Sequence, residues 1–494
     1  MSTLTLGIVV IIYMFILAWL GYIGYKQTKN ASDYLLGGRK VNPVIMALSY
    51  GATFISASAI VGFGGVAATF GMGIQWLCLL NMFMGVVIAF IIFGRNTRKL
   101  GEKYNARTFP QLLGLHYNSR AIQIFIAAII FIGMPLYAAV VMKGGPVFIE
   151  QMFHIDLHLA LLIFTLIVAA YVITGGIKGV LYTDALQAVI MFACMLFLLF
   201  WFYRVMDMGF IEANRKLTEI APLVPERFKE VGHQGWTAMP VTGSPQWYTL
   251  VTSLILGVGI GCLAQPQLVV RFMMVESTKQ LNRGVLIGCV FLIVTVGAIY
   301  HVGALSNLFF LKTEGVVASE AIKDMDKIIP LFIDRAMPEW FSAVFMLCIL
   351  SASMSTLSAQ FHTMGASFGA DIFPKLGHRK NANSTMGVRG TALFMGICAA
   401  TFLPAYFCSL FWKKATKEGA LASLWTGALA SLFAMLFLHK AEAGAVGLCN
   451  MLSGRDVLID IYPWFAIDPI LFALPLSTVA MVLTSLITYK KQEI

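Results

Sequence analysis

Long apolar runs constrain this chain more than any other feature of its sequence. Stretches of predominantly apolar residues recur from one end to the other, separated by polar segments. A run of about 20 apolar residues is the length that an α-helix needs to cross a lipid bilayer. Backbone groups in lipid must form their hydrogen bonds internally, which favours helices for such runs. The sequence therefore predicts an all-α integral membrane protein whose main surroundings are the lipid bilayer.

Twelve membrane spans are predicted from these runs. The mean hydropathy is +0.81 and only 12% of the residues are charged, about half the fraction typical of a soluble domain. No separate soluble domain is expected, which argues against a membrane-anchored sensor kinase or enzyme. The predicted spans are 4–24, 43–71, 73–97, 119–147, 157–177, 182–206, 246–274, 283–310, 338–372, 390–412, 417–439 and 464–489.

The net charge of +11 does not indicate a nucleic-acid partner. The basic residues lie in short clusters between apolar runs, as the positive-inside rule expects of cytoplasmic loops. Lys26 and Lys29 directly follow the first span, which predicts a multi-pass protein of the plasma membrane with its N-terminus outside. The sequence offers no paired carboxylates, metal-spaced histidines or phosphate-binding loop in a suitable setting, so we expect neither an enzyme nor an organic cofactor.

Two of the long spans look interrupted. The second reads Ala47-Leu-Ser-Tyr-Gly-Ala-Thr-Phe-Ile-Ser-Ala-Ser58 followed by Gly62, Gly64 and Gly65, and the seventh contains Gly257-Val-Gly-Ile-Gly261 followed by Gln265-Pro-Gln267. Gly- or Pro-interrupted spans in corresponding positions of two halves point to a transport site built on unwound helices. The alternative is that these glycines only allow close packing of helices. The pairing of the two interruptions favours a site.

One part of the chain departs from the pattern in which successive loops alternate between the two sides of the membrane. Only the span 390–412 separates the basic cluster that ends at Arg389 from the next cluster, which begins at Lys413. One of these two clusters must then lie outside, against the positive-inside rule. Either the rule fails locally, or the chain lacks a helix between 373 and 412.

Several motifs, in order along the chain, resemble the solute:sodium symporter family, which includes proline, pantothenate, sugar and sialic acid symporters. The resemblance implies a LeuT-type fold, a five-plus-five inverted repeat with flanking helices. Members usually have thirteen spans, so this chain is apparently one helix short. The motifs are Gly51-Ala-Thr-Phe-Ile-Ser56, Gly175-Gly176, Thr183-Asp-Ala-Leu-Gln187, Ser351-Ala-Ser-Met-Ser-Thr-Leu-Ser-Ala-Gln360 and Phe411-Trp-Lys-Lys-Ala-Thr416.

The resemblance divides the chain into five parts. An extra span and inner loop precede the first inverted repeat, and extra spans follow the second repeat, in which one helix is apparently missing near 373–390. The parts are 1–42, the first repeat 43–206, the outer loop 207–245, the second repeat 246–412 and the C-terminal spans 413–494.

The resemblance also implies a sodium site between spans two and nine. Motif matching assigns it the carbonyls of Ala52, Ile55 and Ala352 and the hydroxyls of Ser355 and Thr356. Sodium is a hard cation that prefers oxygen, and irregular backbone frees carbonyls that a continuous helix would use. From the residues alone, hydroxyls bonded back to a carbonyl of their own helix remain the alternative.

Asp184 has two interpretations. Its spacing from Gln187 suits a helix N-cap with a capping box. Some members of the family bind a second sodium with an aspartate and serines here, and Asp184, Ser355 and Ser358 match that pattern. The family's next serine is Ala359 in this sequence, so the match is partial.

Five polar residues are predicted to face the solute. Lys143 lies within an apolar span, where a charge usually marks function, and it would suit a carboxylate-bearing solute; snorkelling to the interface is its alternative role. The five residues are Thr53, Ser56, Ser58, Lys143 and Gln265.

Together these features predict a sodium-coupled symporter that imports a small organic solute by alternating access, with Na⁺ as the coupling ion. Three alternatives remain at this point. They are a proton-coupled carrier that uses Asp184, a channel, and a transport-deficient solute sensor.

Overall fold

A computed structural model describes residues 3–142, 150, 155–372 and 388–492. Within those ranges the chain is almost entirely helical and contains no β-strand. The principal helices are α1 (Thr3–Gln27), α2 (Pro43–Phe54), α3 (Ser58–Phe70), α4 (Met72–Lys103), α5 (Arg120–Met142), α6 (Leu157–Met206), α7 (Pro245–Ala264), α8 (Thr278–Glu314), α9 (Met325–Ala336), α10 (Glu339–Ile372), α11 (Val388–Phe411), α12 (Lys417–Leu438) and α13 (Ile470–Gln492).

The described helices confirm the predicted all-α membrane architecture. Nine of them are long and apolar enough to cross a membrane, and the bent pair α2 and α3 forms a tenth candidate. Helix α6 contains two of the predicted spans, and α11 includes a shorter apolar helix, Met395–Phe411. Large apolar side chains remain uncovered on the outside of the bundle, among them Ile132, Ile173 and Phe200. Such a surface is suited to lipid and not to water.

The second predicted span is broken in its middle. Helices α2 and α3 are bent by 60° relative to each other. Ile55 between them is extended, with φ −97° and ψ 105°, although its amide still donates to the Gly51 carbonyl. A break of this kind removes the amide partners that the last carbonyls of α2 would have in a continuous helix.

The seventh predicted span is broken at Gln265. This residue is extended, with φ −71° and ψ 118°, and Pro266 begins the next helical turn, Pro266–Val269. Proline disfavours helical geometry in the residue before it and suits the first turn of a helix. The sequence Gln265-Pro266 therefore ends one helix and begins another, as the sequence predicted for this span.

Helix α6 turns at Gly176, where the backbone has φ 56° and ψ −155°. That conformation favours glycine, and a Cβ there would lie 2.6 Å from the Tyr34 ring. The turn separates the fifth and sixth predicted spans, and helical geometry resumes directly after it. The predicted start of the sixth span at 182 is therefore too late.

Helices α10 and α11 run in the same direction. Near the end of α10, the Asp371 carboxylate accepts a hydrogen bond of 2.9 Å from Thr108, in the segment between α4 and α5. Near the end of α11, the Ala405 carbonyl accepts a bond of 2.6 Å from Tyr117, in the same segment. Both helices therefore end on the side of the segment between α4 and α5.

This shared direction places the basic cluster at Lys413 on the side of the basic segment between α4 and α5. The beginning of α12 lies beside the end of α13, since the Thr416 amide donates to Ser485 at 3.2 Å. Lys413, Lys414 and the end of α13 are therefore on the side of the basic segment between α4 and α5. The positive-inside rule predicts that this side is cytoplasmic. Residues 373–387, where the missing helix was predicted, lie outside the described residues, and the division into repeats stays a prediction.

Candidate functional site

The first helix break meets two hydroxyl groups of α10. Ser355 Oγ donates to the Ala52 carbonyl at 2.9 Å, and Thr356 Oγ1 donates to the Thr53 carbonyl at 3.1 Å and to the Ile55 carbonyl at 3.4 Å. Both hydroxyl-bearing side chains are fully buried. Because these bonds cross between helices, carbonyls released by the break and hydroxyls of α10 converge on one small volume.

These contacts bear on the alternative in which both hydroxyls bond back to their own helix. Ser355 Oγ does lie 3.2 Å from the Ala352 carbonyl, three residues earlier. It is closer to Ala52 across the helix interface, and Thr356 makes its described bonds across that interface. The five predicted sodium-binding residues are therefore adjacent. Their oxygen atoms carry no charge, and a hard monovalent cation such as sodium uses oxygen atoms as ligands.

One turn farther along α10 lies a buried ion pair. Asp184 Oδ2 is 3.0 Å from Arg271 Nη2, and neither side chain has more than 1% of its surface exposed. Ser49 donates to the same carboxylate oxygen at 2.7 Å and Thr53 at 3.1 Å, while Ser358 donates to Oδ1 at 3.2 Å. Four elements of the fold therefore meet at this carboxylate, which lies in the interior of α6.

The N-cap interpretation of Asp184 is wrong. Helix α6 continues without interruption from Gly176 through Asp184, so no helix begins there. The Gln187 amide donates instead to the Tyr13 hydroxyl at 3.1 Å. The capping-box spacing was coincidental, because an N-cap requires an extended residue at a helix start.

Sequence reasoning missed Arg271. Its guanidinium donates to Ser49 from Nε at 3.2 Å and from Nη2 at 3.1 Å, to the Thr53 hydroxyl, and to the Gln267 carbonyl. The predicted span 246–274 contains this arginine, but no motif assigned it a role. Its position inside an apolar run, directly before Phe272, was the available signal, because an intramembrane charge usually has a buried partner.

A small cavity lies next to the first helix break. It measures about 20 Å³, which is room for about one water molecule. Its wall is mainly aromatic and aliphatic, with a few polar side chains. The lining residues are Phe54, Ile55, Ser56, Ala59, Phe63, Leu77, Asn81, Tyr137, Val258, Val296, Tyr300 and Met395.

Of the residues predicted to face the solute, Ser56 lines this cavity. Thr53 and Gln265 do not line it, and their role toward the solute stays a prediction. The Thr53 hydroxyl faces Asp184, and the Gln265 side chain accepts a hydrogen bond from the neighbouring Gln267. Ser58 is not among the residues of the cavity wall either. Lys143 lies outside the described residues.

Asn81 is a second polar residue that sequence reasoning missed. It lies on α4 in the cavity wall and is 4% exposed. Its Oδ1 atom is buried and has no hydrogen-bond partner within the described structure. A buried acceptor without a partner is costly, and such a group in a cavity wall is well placed to receive a donor from a bound molecule.

The geometry can be compared with known proteins. The sequence model of the Sodium:solute symporter family matches residues 34–395. The chain belongs to this family. Its members are transporters, and the match includes both helix breaks, the Asp184 pair and the hydroxyls of α10. Multi-pass membrane architecture and coupling to sodium follow from the family.

Curated relatives are proline transporters. The High-affinity proline transporter PutP of Bacillus subtilis (strain 168) is 26% identical, over 83% of this chain and 88% of its own length. Sodium/proline symporter 2 of Staphylococcus saprophyticus is 27% identical, over 85% of this chain and 84% of its own. The alignments with these two relatives cover most of this chain.

A solved structure has the same fold. It is described as the substrate-bound outward-open state of a Na⁺-coupled sialic acid symporter, and it superimposes with a TM-score of 0.73 over 98% of this chain and 97% of its own. At 16% sequence identity the likeness concerns the fold alone. It confirms the LeuT-type architecture that the resemblance implied.

Proposed function

We propose that this symporter imports a small organic solute together with sodium bound at the first helix break. The observation that supports the proposal is the convergence of the Ser355 and Thr356 hydroxyls on the carbonyls of Ala52 and Ile55. Neutral oxygens hold sodium without the strong charge attraction that would slow its release. The import direction, the plasma membrane and an external N-terminus remain parts of this proposal.

Sodium at this position would join two elements that must move relative to each other. The Ala52 carbonyl belongs to α2 and the Ser355 hydroxyl to α10, so a shared ion stabilises one arrangement of these helices. The cavity beside Ser56 adjoins the same break. Binding of sodium and binding of solute are therefore coupled, and the coupling free energy must be the same in both directions.

The cavity wall indicates the class of solute. Aromatic and aliphatic side chains form most of the lining, which suits a compact solute with an apolar part. Helix α3 begins at the cavity and directs the positive end of its dipole there, where a carboxylate is favoured. We propose a small carboxylate-bearing solute, and the curated relatives make L-proline the first candidate. The role of Lys143 stays a prediction.

The cavity is too small for such a solute in the described arrangement, so the surrounding helices must separate to admit it. Uptake into proteoliposomes tests the proposal. Labelled L-proline and a panel of small amino and organic acids are offered under an inward sodium gradient, and again under a potassium gradient of equal size. We expect at least one of these compounds to accumulate above its equilibrium level with sodium alone.

The same assay separates the alternatives. A proton-coupled carrier would accumulate solute under a pH gradient without sodium. A sensor would bind solute without accumulation, and a channel would equilibrate it at a rate above carrier turnover. Each of these three results would contradict the proposed function.

A further inference from the structure

The buried pair of Asp184 and Arg271 contains one negative and one positive charge in a space without solvent. Neither side chain is exposed by more than 1%. The guanidinium remains protonated under all ordinary conditions, even when buried. The pair is therefore neutral as a whole, and its charges are compensated before any ion arrives.

The arginine occupies the position beside the carboxylate that an ion would take. Its Nη2 is 3.0 Å from Asp184 Oδ2, and its Nε and Nη2 also contact Ser49 Oγ, at 3.2 Å and 3.1 Å. The oxygens around it, a carboxylate and two hydroxyls with the Gln267 carbonyl, are the type of ligands that hold sodium. The guanidinium therefore uses a set of oxygens that could otherwise coordinate a cation.

This set adjoins the proposed sodium site but does not overlap with it. Thr53 connects the two, since its carbonyl accepts from Thr356 and its hydroxyl donates to Asp184. Ser358 Oγ donates to the Asp184 carboxylate and lies 2.9 Å from the Ser355 carbonyl. One neutral site and one charge-compensated site thus lie next to each other along α10.

We propose that the Arg271 guanidinium is the resident cation of the Asp184 site, so the symporter carries one sodium ion per cycle and not two. This inference rests on the proposed function of the first site. A second sodium beside Asp184 and Ser358 would have to share the carboxylate oxygen and the Ser49 and Thr53 hydroxyls that the guanidinium already contacts. It would also lie directly beside a like charge in a space without solvent, where repulsion is strong. The arginine therefore fixes the ion stoichiometry.

Binding of radioactive ²²Na⁺ to the purified full-length protein tests this inference without knowledge of the solute. We expect one saturable sodium per chain for the wild-type protein, with a Hill coefficient near one. In Arg271→Gln the Asp184 carboxylate loses its cation, and we expect two sodium ions per chain. Arg271→Lys keeps a positive charge at this position, and we expect it to bind one.

A further variant identifies where the second ion binds. In Arg271→Gln with Ser358→Ala, the count should return to one, because Ser358 contacts the carboxylate that would hold the added ion. Two ions on the wild-type protein, or one ion on folded Arg271→Gln, would overturn the inference. The wild-type count decides the question even if Arg271→Gln fails to fold. Absence of any saturable sodium would instead contradict the proposed function.

Discussion

The two helix breaks share a backbone irregularity but differ in their surroundings. At the first, after Phe54, the carbonyls of Ala52 and Ile55 meet neutral hydroxyls of α10. At the second, Gln265 leads within two turns to Arg271, whose guanidinium is paired with Asp184. The first break offers oxygens to a cation, whereas the second supplies a cation from the chain itself.

This difference means that two similar helix breaks can have different roles at one site. A carbonyl cluster without a fixed charge can exchange its ion in every transport cycle. An arginine cannot leave, so the contacts that it makes to α2 and α6 persist until those helices separate. We infer that the first break carries the exchangeable ion and that the second holds the surrounding helices in register.

The largest expected effect comes from breaking the charge pair. Arg271→Met leaves the Asp184 carboxylate buried without a cation, and removal of one partner of a buried pair costs about 3–5 kcal/mol. The double variant Arg271→Met with Asp184→Leu removes both charges and should be more stable than either single variant. Thermal denaturation in detergent measures all three proteins against wild type. If the stability that the double variant loses equals the sum of the losses of the two single variants, the two residues are not coupled.

The next effect concerns the neutral site. Ser355→Ala with Thr356→Ala removes both hydroxyls, and we expect the sodium concentration for half-maximal uptake to rise more than about 10-fold, the lower range seen on loss of groups that support a metal. Ser353→Ala is a matched control, because Ser353 is fully buried on α10 and its hydroxyl makes no described hydrogen bond. Equal sodium dependence of the double variant and the control would contradict the assignment.

A substitution in the cavity wall should have a smaller effect, on the half-saturation concentration of the solute and not on that of sodium. Asn81→Leu replaces the unpartnered amide in the cavity wall with an apolar side chain of similar size. Loss of one hydrogen bond to a solute raises its half-saturation concentration about 10-fold, while the sodium dependence at saturating solute should stay unchanged. Uptake measured at varied solute concentration, and again at varied sodium concentration, separates the two effects. A change confined to sodium would remove Asn81 from solute recognition.

The smallest effect lies at the C-terminal end of α3, which the segment 207–245 contacts through His233 and Trp236. Neutral His233 donates from Nε2 to the Thr69 carbonyl at 3.0 Å and accepts from the Gly235 amide at Nδ1, at 2.9 Å. Burial lowers the pKa of His233, while its bond to Thr69 opposes that shift. Protonation at Nδ1 would remove the acceptor for Gly235.

Because the pKa of His233 is lower in the folded protein, its contribution to stability is complete above the unfolded pKa of about 6.5. It is lost as the pH falls through the folded pKa, by about 1 kcal/mol for one hydrogen bond. Melting temperatures of wild type and His233→Phe between pH 8 and pH 5 measure this loss. The difference between the two proteins should shrink on acidification; a constant difference would exclude His233 as its source.

The helix breaks and the hydroxyl pair could be predicted because their signals are local. The polar and glycine-rich stretch from Ala47 to Gly65 and the pair Gln265-Pro266 interrupt apolar runs, and Ser355 and Thr356 follow a motif at helical spacing. The side-chain directions next to a break could not be predicted, since helical periodicity does not continue through it. For this reason Thr53 was assigned to the solute although its hydroxyl faces Asp184.

Long-range partners explain the other misses. Arg271 and Asp184 are 87 positions apart in sequence, and only the folded chain brings them together. Asn81 is a single amide in an apolar span, a pattern that also suits a residue with a purely structural hydrogen bond. A sequence identifies such a residue as unusual, but its partner depends on the packing of other helices.

The central claim is that sodium binds where the first break meets α10. The most direct measurement is the thermal stability of the purified protein as sodium replaces potassium at constant ionic strength. Binding to the folded state must raise the melting temperature as sodium increases. We predict a saturable rise for wild type and Ser353→Ala, and none for Ser355→Ala with Thr356→Ala. An equal rise in all three proteins would place the ion elsewhere and contradict the account.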